Sequence, residues 1–246
     1  MVSLELGGKS PILVFEDADL ESAVNGAIAG NFGAAGQSCV AGSRVFIQSS
    51  IREKFLEKLV ERAAQIRIGD PLAEDTQVGP LCTRAQLDHI TESVRDAVAE
   101  GAKLLIGGKS PEGLDAGWYY SPTILDCPHQ DIRTVREEMF GPVMSALSFD
   151  TEEEGIAMAN QSEFGLGSGI FTNNIARALR VSDAIHSGIV WVNTYRVISP
   201  IAPFGGFKNS GPGRESGIDT IYDYTRTKTV WINTSSEPMA NPFTMR

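Results

Sequence analysis

The sequence predicts an α/β fold, a mostly parallel open sheet flanked by helices. Short apolar runs of strand type, such as Pro11-Ile12-Leu13-Val14 and Ile189-Val190-Trp191-Val192, alternate along the chain with segments whose apolar residues recur at helical spacing. Polar residues able to cap a helix stand between the two kinds of segment, at Asp19, Thr83, Thr151 and Asn174. At 246 residues the chain is long enough to bury a sizeable core, roughly 70–75% of its unfolded surface.

In order, residues 10–15 read as a first strand. Asp19 then caps a helix carrying Leu20, Ala23, Val24, Ala27, Ile28 and Phe32. Residues 44–48 form a second strand, and Ser50 with Glu53 makes a capping box ahead of Phe55, Leu56, Leu59, Val60 and Ala63. Thr83 with Gln86 opens a third helix that ends at Gly101. Strands are expected at 103–106 and 118–125, separated by a Gly- and Pro-bearing surface loop. Residues 143–149 are a strand, Thr151 with Glu154 opens a helix to about residue 160, and 168–172 is a strand. Asn174 caps a helix reaching Gly188, 189–192 is a buried strand, and a long loop covers 194–214. Residues 226–233 alternate as a final strand, followed by a loose tail. In such folds, loops beyond the carboxyl ends of the strands carry ligands.

Composition narrows the function. With 31 acidic against 21 basic residues the net charge is −10, and the basic residues form no block, which argues against nucleic-acid and anionic-membrane partners. No apolar run approaches the roughly 20 residues of a membrane span, and the amino terminus lacks a basic segment followed by a long apolar one. These features predict a cytoplasmic protein acting on a small molecule. Cys39, Cys82 and Cys127 are widely spaced, as are His89, His129 and His186, so neither a disulfide framework nor a metal site is expected. The run Phe164-Gly165-Leu166-Gly167-Ser168-Gly169 is not a phosphate loop, because Ile170-Phe171-Thr172 continues as strand where a helix would have to start.

The chemistry is expected at Phe32-Gly33-Ala34-Ala35-Gly36-Gln37-Ser38-Cys39-Val40, where a sulfur sits in a small-residue loop between helix and strand. Gly36 allows a tight turn that lets main-chain N–H groups face whatever the sulfur attacks. An inert buried thiol is the competing reading of Cys39, since a free thiol has a pKa of about 8.5 and needs activation. Four further patches accompany it: Glu5-Leu6-Gly7-Gly8-Lys9, Glu137-Glu138-Met139-Phe140-Gly141-Pro142, Trp191-Val192-Asn193 and Pro203-Phe204-Gly205-Gly206-Phe207-Lys208.

Together, in this order and with Cys39 placed 34 residues after Glu5, these patches closely resemble the aldehyde dehydrogenase superfamily. The resemblance implies an NAD- or NADP-dependent oxidation of an aldehyde, with Cys39 as nucleophile and Glu5 as general base. Glu5 read alone is as well a capping or ion-paired glutamate near Lys9. Glu138 matches the carboxylate that accepts hydrogen bonds from the nicotinamide ribose, and Phe140 the ring beside it. Asn193 and Phe204 match positions near the cleft. Ser38, Val40, Arg196, Ile198 and Phe204 are the implied tunnel residues. Arg196 either grips a substrate carboxylate or is solvated at the tunnel mouth. Arg44 either adds positive field near the thiolate or makes a structural salt bridge.

By the same resemblance, residues 1–225 form the catalytic domain and residues 226–246 a C-terminal oligomerisation strand and tail, in a homo-oligomeric dimer or tetramer. Family members run to about twice this length, and the cofactor domain that precedes Glu5 in them is absent here. The expectation is therefore a truncated form or an isolated half. Its unpacked face should be apolar, its terminal strand an exposed edge, and its NAD-dependent turnover negligible when alone. Two other readings accompany this one: a non-enzymatic remnant or oligomerisation module, and an enzyme passing the acyl group to coenzyme A, which the intact Glu5 disfavours.

Overall fold

The computed structural model describes residues 2–114 and 116–244. Its centre is a seven-stranded sheet. β1 (Pro11–Val14) lies between β2 (Arg44–Gln48) and β7 (Gly167–Phe171); β5 (Val143–Phe149), β4 (Thr123–Asp126) and β3 (Lys103–Ile106) continue beyond β2, and β8 (Ile189–Val192) flanks β7. Every pairing is parallel except β3 with β4.

The sheet is covered on both faces, which explains why its strands read as continuous apolar runs. Along β1 the side chains alternate: Ile12 and Val14 join the core beneath α1 (Leu20–Phe32) and α2 (Arg52–Ala64). Leu13 packs on the other face with residues of α3 (Arg84–Ala99), α4 (Arg133–Arg136), α5 (Glu152–Asn160) and α6 (Ile175–Ala184). All three β1 residues are fully buried, each contributing about 1.5–3 kcal/mol. A one-residue slip would exchange the two faces, so the register Pro11↔Arg44↔Ser145 is strongly specified.

Four of the expected caps form. Asp19, Thr83, Thr151 and Asn174 each accept a hydrogen bond from the N–H three residues on. The Ser50–Glu53 box does not. Ser50 sits in a 3-10 turn, Ser49–Ile51, and its hydroxyl donates to Glu16 instead, so α2 starts at Arg52 without a side-chain cap. The helix after Asn174 ends at Ala184, short of the expected Gly188, where Ile185 returns to extended backbone. The strand expected from 118 is confined to Thr123–Asp126.

The segment 226–233 is a larger departure. Its alternation suits a strand, yet it has no strand assignment and is exposed throughout, with Trp231 93% accessible. A strand exists only where another pairs with it, and neither sheet edge of this chain receives this one. The long loop after β8 also holds more order than expected. β9 (Phe207–Lys208) pairs antiparallel with β6 (Phe164–Gly165), and α7 (Thr220–Asp223) follows it.

Candidate active site

The parallel register places the chemistry. Pro11, Arg44 and Ser145 stand in one row across the sheet, and Glu5, Cys39 and Glu138 each lie a few residues upstream of that row. The candidate residues therefore gather at the amino ends of the strands, not at the carboxyl ends that the general rule for open α/β sheets predicts. That rule serves ligands whose phosphates bind helix N-termini; here the reactive groups ride on the segments leading into β1, β2 and β5.

Local backbone geometry builds the cysteine loop. After α1, Ala34, Ala35 and Gly36 all adopt left-handed conformations, with φ of 55°, 53° and 71°. Gly36 is required twice over: a Cβ there would stand 2.1 Å from the carbonyl oxygen of Gly141. Gln37 ties the loop outward by accepting from the Cys82 N–H at 2.9 Å. Cys39 is half-buried. Burial pushes its thiol pKa up, as do the nearby Glu5 and Glu138 carboxylates, while the main-chain N–H groups of Cys39 and Val40 pull it down. The thiol is thus held protonated and needs a base.

Glu5 sits on a laced segment. The N–H groups of Leu4 and Leu6, on either side of it, donate to the carbonyls of Pro212 and Ser210 at 2.9 and 3.1 Å. Ser210 is fully buried; its hydroxyl donates to the Gly7 carbonyl at 2.7 Å and accepts from the Gly165 N–H. Burial raises the Glu5 pKa and Glu215 raises it further, against a smaller opposing effect of Arg214. A carboxyl raised in this way accepts a proton more readily than a free glutamate. Sequence reading missed Ser210, Arg214 and Glu215. The antiparallel bridge between Phe204 and Glu215, two N–H···O bonds of 2.6 Å, is the long-range contact that delivers them.

Gly8 joins the three parts. Its N–H donates to Glu138 Oε1 at 3.0 Å, and a Cβ on it would stand 2.0 Å from the carbonyl oxygen of Cys39. At Gly7 beside it the position of a Cβ lies 2.5 Å from Glu138 Oε2, an atom that can move aside as backbone cannot. Glu138 is half-buried; burial raises its pKa, opposed by the Gly8 N–H and Lys9. Phe140 is exposed and left-handed (φ 48°), in a turn that Gln86 holds by donating to the carbonyls of Met139 and Phe140. A cavity of about 550 Å³ adjoins Glu138, and Asp131, Glu137 and Glu163 also line it.

The other predicted residues divide. Ser38 lies in the loop, half-buried. Val40 is buried, its side chain in the core cluster beneath α1 against which Cys39 also packs. Phe204 is partly buried against the same cluster as Cys39. Ile198 is 62% exposed on the loop after β8. Arg196, half-buried, donates to the carbonyl of Ala29 near the end of α1 and lies over Gly33. Asn193 spends its amide on both main-chain groups of Thr172. Arg44 makes neither a salt bridge nor a field for the thiolate: it is 1% exposed and donates to the carbonyls of Lys9, Met158, Ala159 and Gln161. It ties the end of α5 to the segment entering β1. Among the described residues, no group of three or more His, Cys, Asp or Glu is placed to hold a metal ion, and no helix is long and apolar enough to cross a membrane.

Comparison with known proteins finds relatives over nearly the whole chain. A family model described as "Aldehyde dehydrogenase family" covers residues 1–230. The (Z)-2-((N-methylformamido)methylene)-5-hydroxybutyrolactone dehydrogenase of Acinetobacter baylyi is 53% identical over the whole chain and 50% of its own length. The betaine aldehyde dehydrogenase of Brucella anthropi is 51% identical over 94% of the chain and 48% of its own length. Among solved structures, betaine aldehyde dehydrogenase from Staphylococcus aureus in complex with NAD+ superimposes with a TM-score of 0.88 at 38% identity, covering 96% of this chain and 48% of that one. An aldehyde dehydrogenase mutant from Bacillus cereus does so with a TM-score of 0.91 at 40% identity, covering 95% and 47%. The chain spans about half the length of the curated relatives it matches. With Glu5, Cys39 and Glu138 brought to one edge of the sheet around Gly8, and with that match over nearly its full length, this chain belongs to the aldehyde dehydrogenase family.

Proposed function

We propose that the protein carrying this chain oxidises an aldehyde to a carboxylic acid with NAD or NADP, Cys39 acting as nucleophile and Glu5 as general base. The observation that carries the reading is the convergence on Gly8, whose backbone touches the Glu138 carboxylate on one side and the Cys39 carbonyl on the other. Glu5 takes the thiol proton, and the thiolate attacks the carbonyl carbon to form a thiohemiacetal. Main-chain N–H groups at Cys39 and Val40 stand where they can oppose negative charge beside the sulfur. A nicotinamide cofactor held by Glu138 and Phe140 would supply the hydride acceptor, and loss of hydride from that carbon leaves Cys39 holding a thioester. Once Glu5 has passed the first proton to solvent, it accepts a second from the attacking water, the C–S bond breaks with the thiolate as leaving group, and the acid departs from a free Cys39.

The residues present suit the nicotinamide-ribose end of the cofactor. Glu138 presents a carboxylate to paired hydroxyls and Phe140 an exposed ring, while the acidic lining of the adjoining cavity suits hydroxyl donors rather than phosphates. Ser38, Arg196, Ile198 and Phe204 flank the aldehyde's approach to Cys39. The test is direct. In the intact protein Cys39→Ala should abolish NADH production, and Glu5→Gln should release a single burst of NADH and then turn over about 10²–10⁴-fold more slowly than wild type. Turnover by Cys39→Ala, or an undiminished steady rate in Glu5→Gln, would refute the assignment.

Residues 226–233 are proposed to find their partner strand in a second copy, giving a homo-oligomer. Val230, Trp231 and Ile232 are all more than half exposed, an apolar stretch that favours pairing. A monomer by light scattering at all concentrations would exclude it. The small-molecule substrate and the charge pattern fit a cytoplasmic setting.

A further inference from the structure

Lys9 is 2% exposed, and its Nζ has no hydrogen-bond partner. Among the described residues it is the one lysine held in the core, and such a group is costly to bury. Nothing in the packing of the fold uses its charge. Its neighbour Arg44 is satisfied by four carbonyls, including that of Lys9 itself. An apolar side chain of equal length would fill the same space without the penalty.

The surroundings of Lys9 point to Glu138. The N–H of Gly8, the residue before Lys9, donates to Glu138 Oε1, and the position of a Cβ on Gly7 lies 2.5 Å from Glu138 Oε2. The Glu138 carboxylate therefore lies along the Gly7–Lys9 backbone, half-buried, where it needs help to stay charged. We propose that Lys9 is a positioning residue: its buried ammonium group holds the Glu138 carboxylate in the anionic form, so that both oxygens can accept the two hydroxyls of a vicinal diol, the chemistry of a ribose. This rests on the reading of Glu138 as the residue that takes the cofactor ribose.

The charges around the pair fit the role. Lys9 faces Arg44, which repels it, and Glu138, Cys127 and Glu137, which favour its charge. Burial brings its pKa down to about 7. Glu138 faces Lys9 and the Gly8 N–H, both of which favour its anion, against burial; Cys39 is also within its field. Lys9 is thus charged on the acid side of neutrality, and it opposes the uptake of a proton that burial favours at Glu138 as the pH falls. At pH high enough to ionise Glu138 in any case, Lys9 can lose its charge without loss of binding.

The experiment measures NAD affinity of the intact protein by fluorescence titration across the acid and neutral range, in wild type, Lys9→Met and Lys9→Arg. A second ligand, a nicotinamide adenine dinucleotide lacking both hydroxyls of the nicotinamide ribose, serves as control. In Lys9→Met the acid limb of NAD binding should move to higher pH, weakening binding about tenfold for each unit of displacement. Affinities should converge at alkaline pH, Lys9→Arg should restore the limb, and the control ligand should be indifferent to both changes. An unmoved limb, or equal weakening of both ligands at every pH, overturns the role of Lys9. If wild type itself binds the two ligands equally, the ribose reading of Glu138 fails, and this proposal with it. A readout in the native fold is the NMR titration of the Lys9 side chain in wild type and Glu138→Gln. Its midpoint should fall when the Glu138 charge is removed, and an unchanged midpoint refutes the coupling even if Lys9→Met does not fold.

Discussion

The hydroxyl of Tyr195 donates to the main-chain carbonyl of Val40 at 2.9 Å. This bond joins the loop after β8 to the residue that follows Cys39. Tyr195 is 7% exposed and packs on Trp191 with ring centroids 4.7 Å apart, and Trp191 Nε1 in turn donates to the carbonyl of Val197. The loop carrying Arg196 and Ile198 is therefore anchored at both ends beside the nucleophile. Tyr195→Phe keeps the ring and removes the bond. It should cost about 1 kcal/mol of stability and raise KM for the aldehyde more than it changes KM for NAD, a split that steady-state kinetics reads directly.

Gly8→Ala tests the wedge between Glu138 and Cys39. A methyl group there meets the Cys39 carbonyl at 2.0 Å, and backbone cannot yield as a flexible side chain does. A destabilisation of about 1–3 kcal/mol is expected. Cys39 should also react differently with iodoacetamide while Cys82, exposed and remote from Gly8 in sequence, keeps its rate. Equal alkylation of Cys39 in both forms would show that the wedge is not needed.

The pH dependence of Cys39 alkylation follows from its neighbours. Burial and the Glu5 charge both raise the thiol pKa, so the thiolate should form at higher pH than that of a free thiol. Glu5→Gln removes a like charge, which lowers the Cys39 midpoint and increases labelling at a fixed mildly alkaline pH. Turnover in the same variant should fall about 10²–10⁴-fold through loss of the general base. Reactivity and turnover moving in opposite directions is the signature; a parallel fall in both would mean that Glu5 acts only through structure.

Arg44 offers a stability test that leaves the chemistry untouched. Arg44→Met removes its donors from the carbonyls of Lys9, Ala159 and Gln161, while that of Met158 keeps the Gln161 N–H, at about 1–3 kcal/mol for each carbonyl left buried and unpaired. Chemical denaturation should show a loss of several kcal/mol. The pH midpoint of Cys39 labelling in the protein that remains folded should be unchanged, because Arg44 is not among the groups that move the Cys39 thiol.

Arg196 is already engaged with the Ala29 carbonyl, yet most of its donors are uncommitted. Arg196→Ala should lower kcat/KM for aldehydes bearing a carboxylate more than for neutral ones of equal length. Equal effects on both would leave Arg196 only its contact with α1.

Much of this protein is determined locally and was legible in the sequence alone. The caps at Asp19, Thr83, Thr151 and Asn174 act within one turn, and the strand runs of β1, β2 and β5 announce themselves by their burial on both faces, whereas β8, expected as a buried strand, lies at the sheet edge and is mostly half-buried. The order of the Glu5, Cys39 and Glu138 patches is likewise a property of the chain, and it points to the family. Tertiary structure decided the rest. The site lies at the amino edge of the sheet because three parallel strands enter from that side. Ser50 left its box because Glu16 was nearer in space than the pattern could show, and Arg44 found carbonyls instead of an acid. Residues 226–233 alternate like a strand and remain unpaired, since alternation is a local property whereas a strand requires a partner. The contact of Gly8 with both Glu138 and Cys39 spans 130 residues of chain on one side, and no local periodicity encodes a meeting over such a distance.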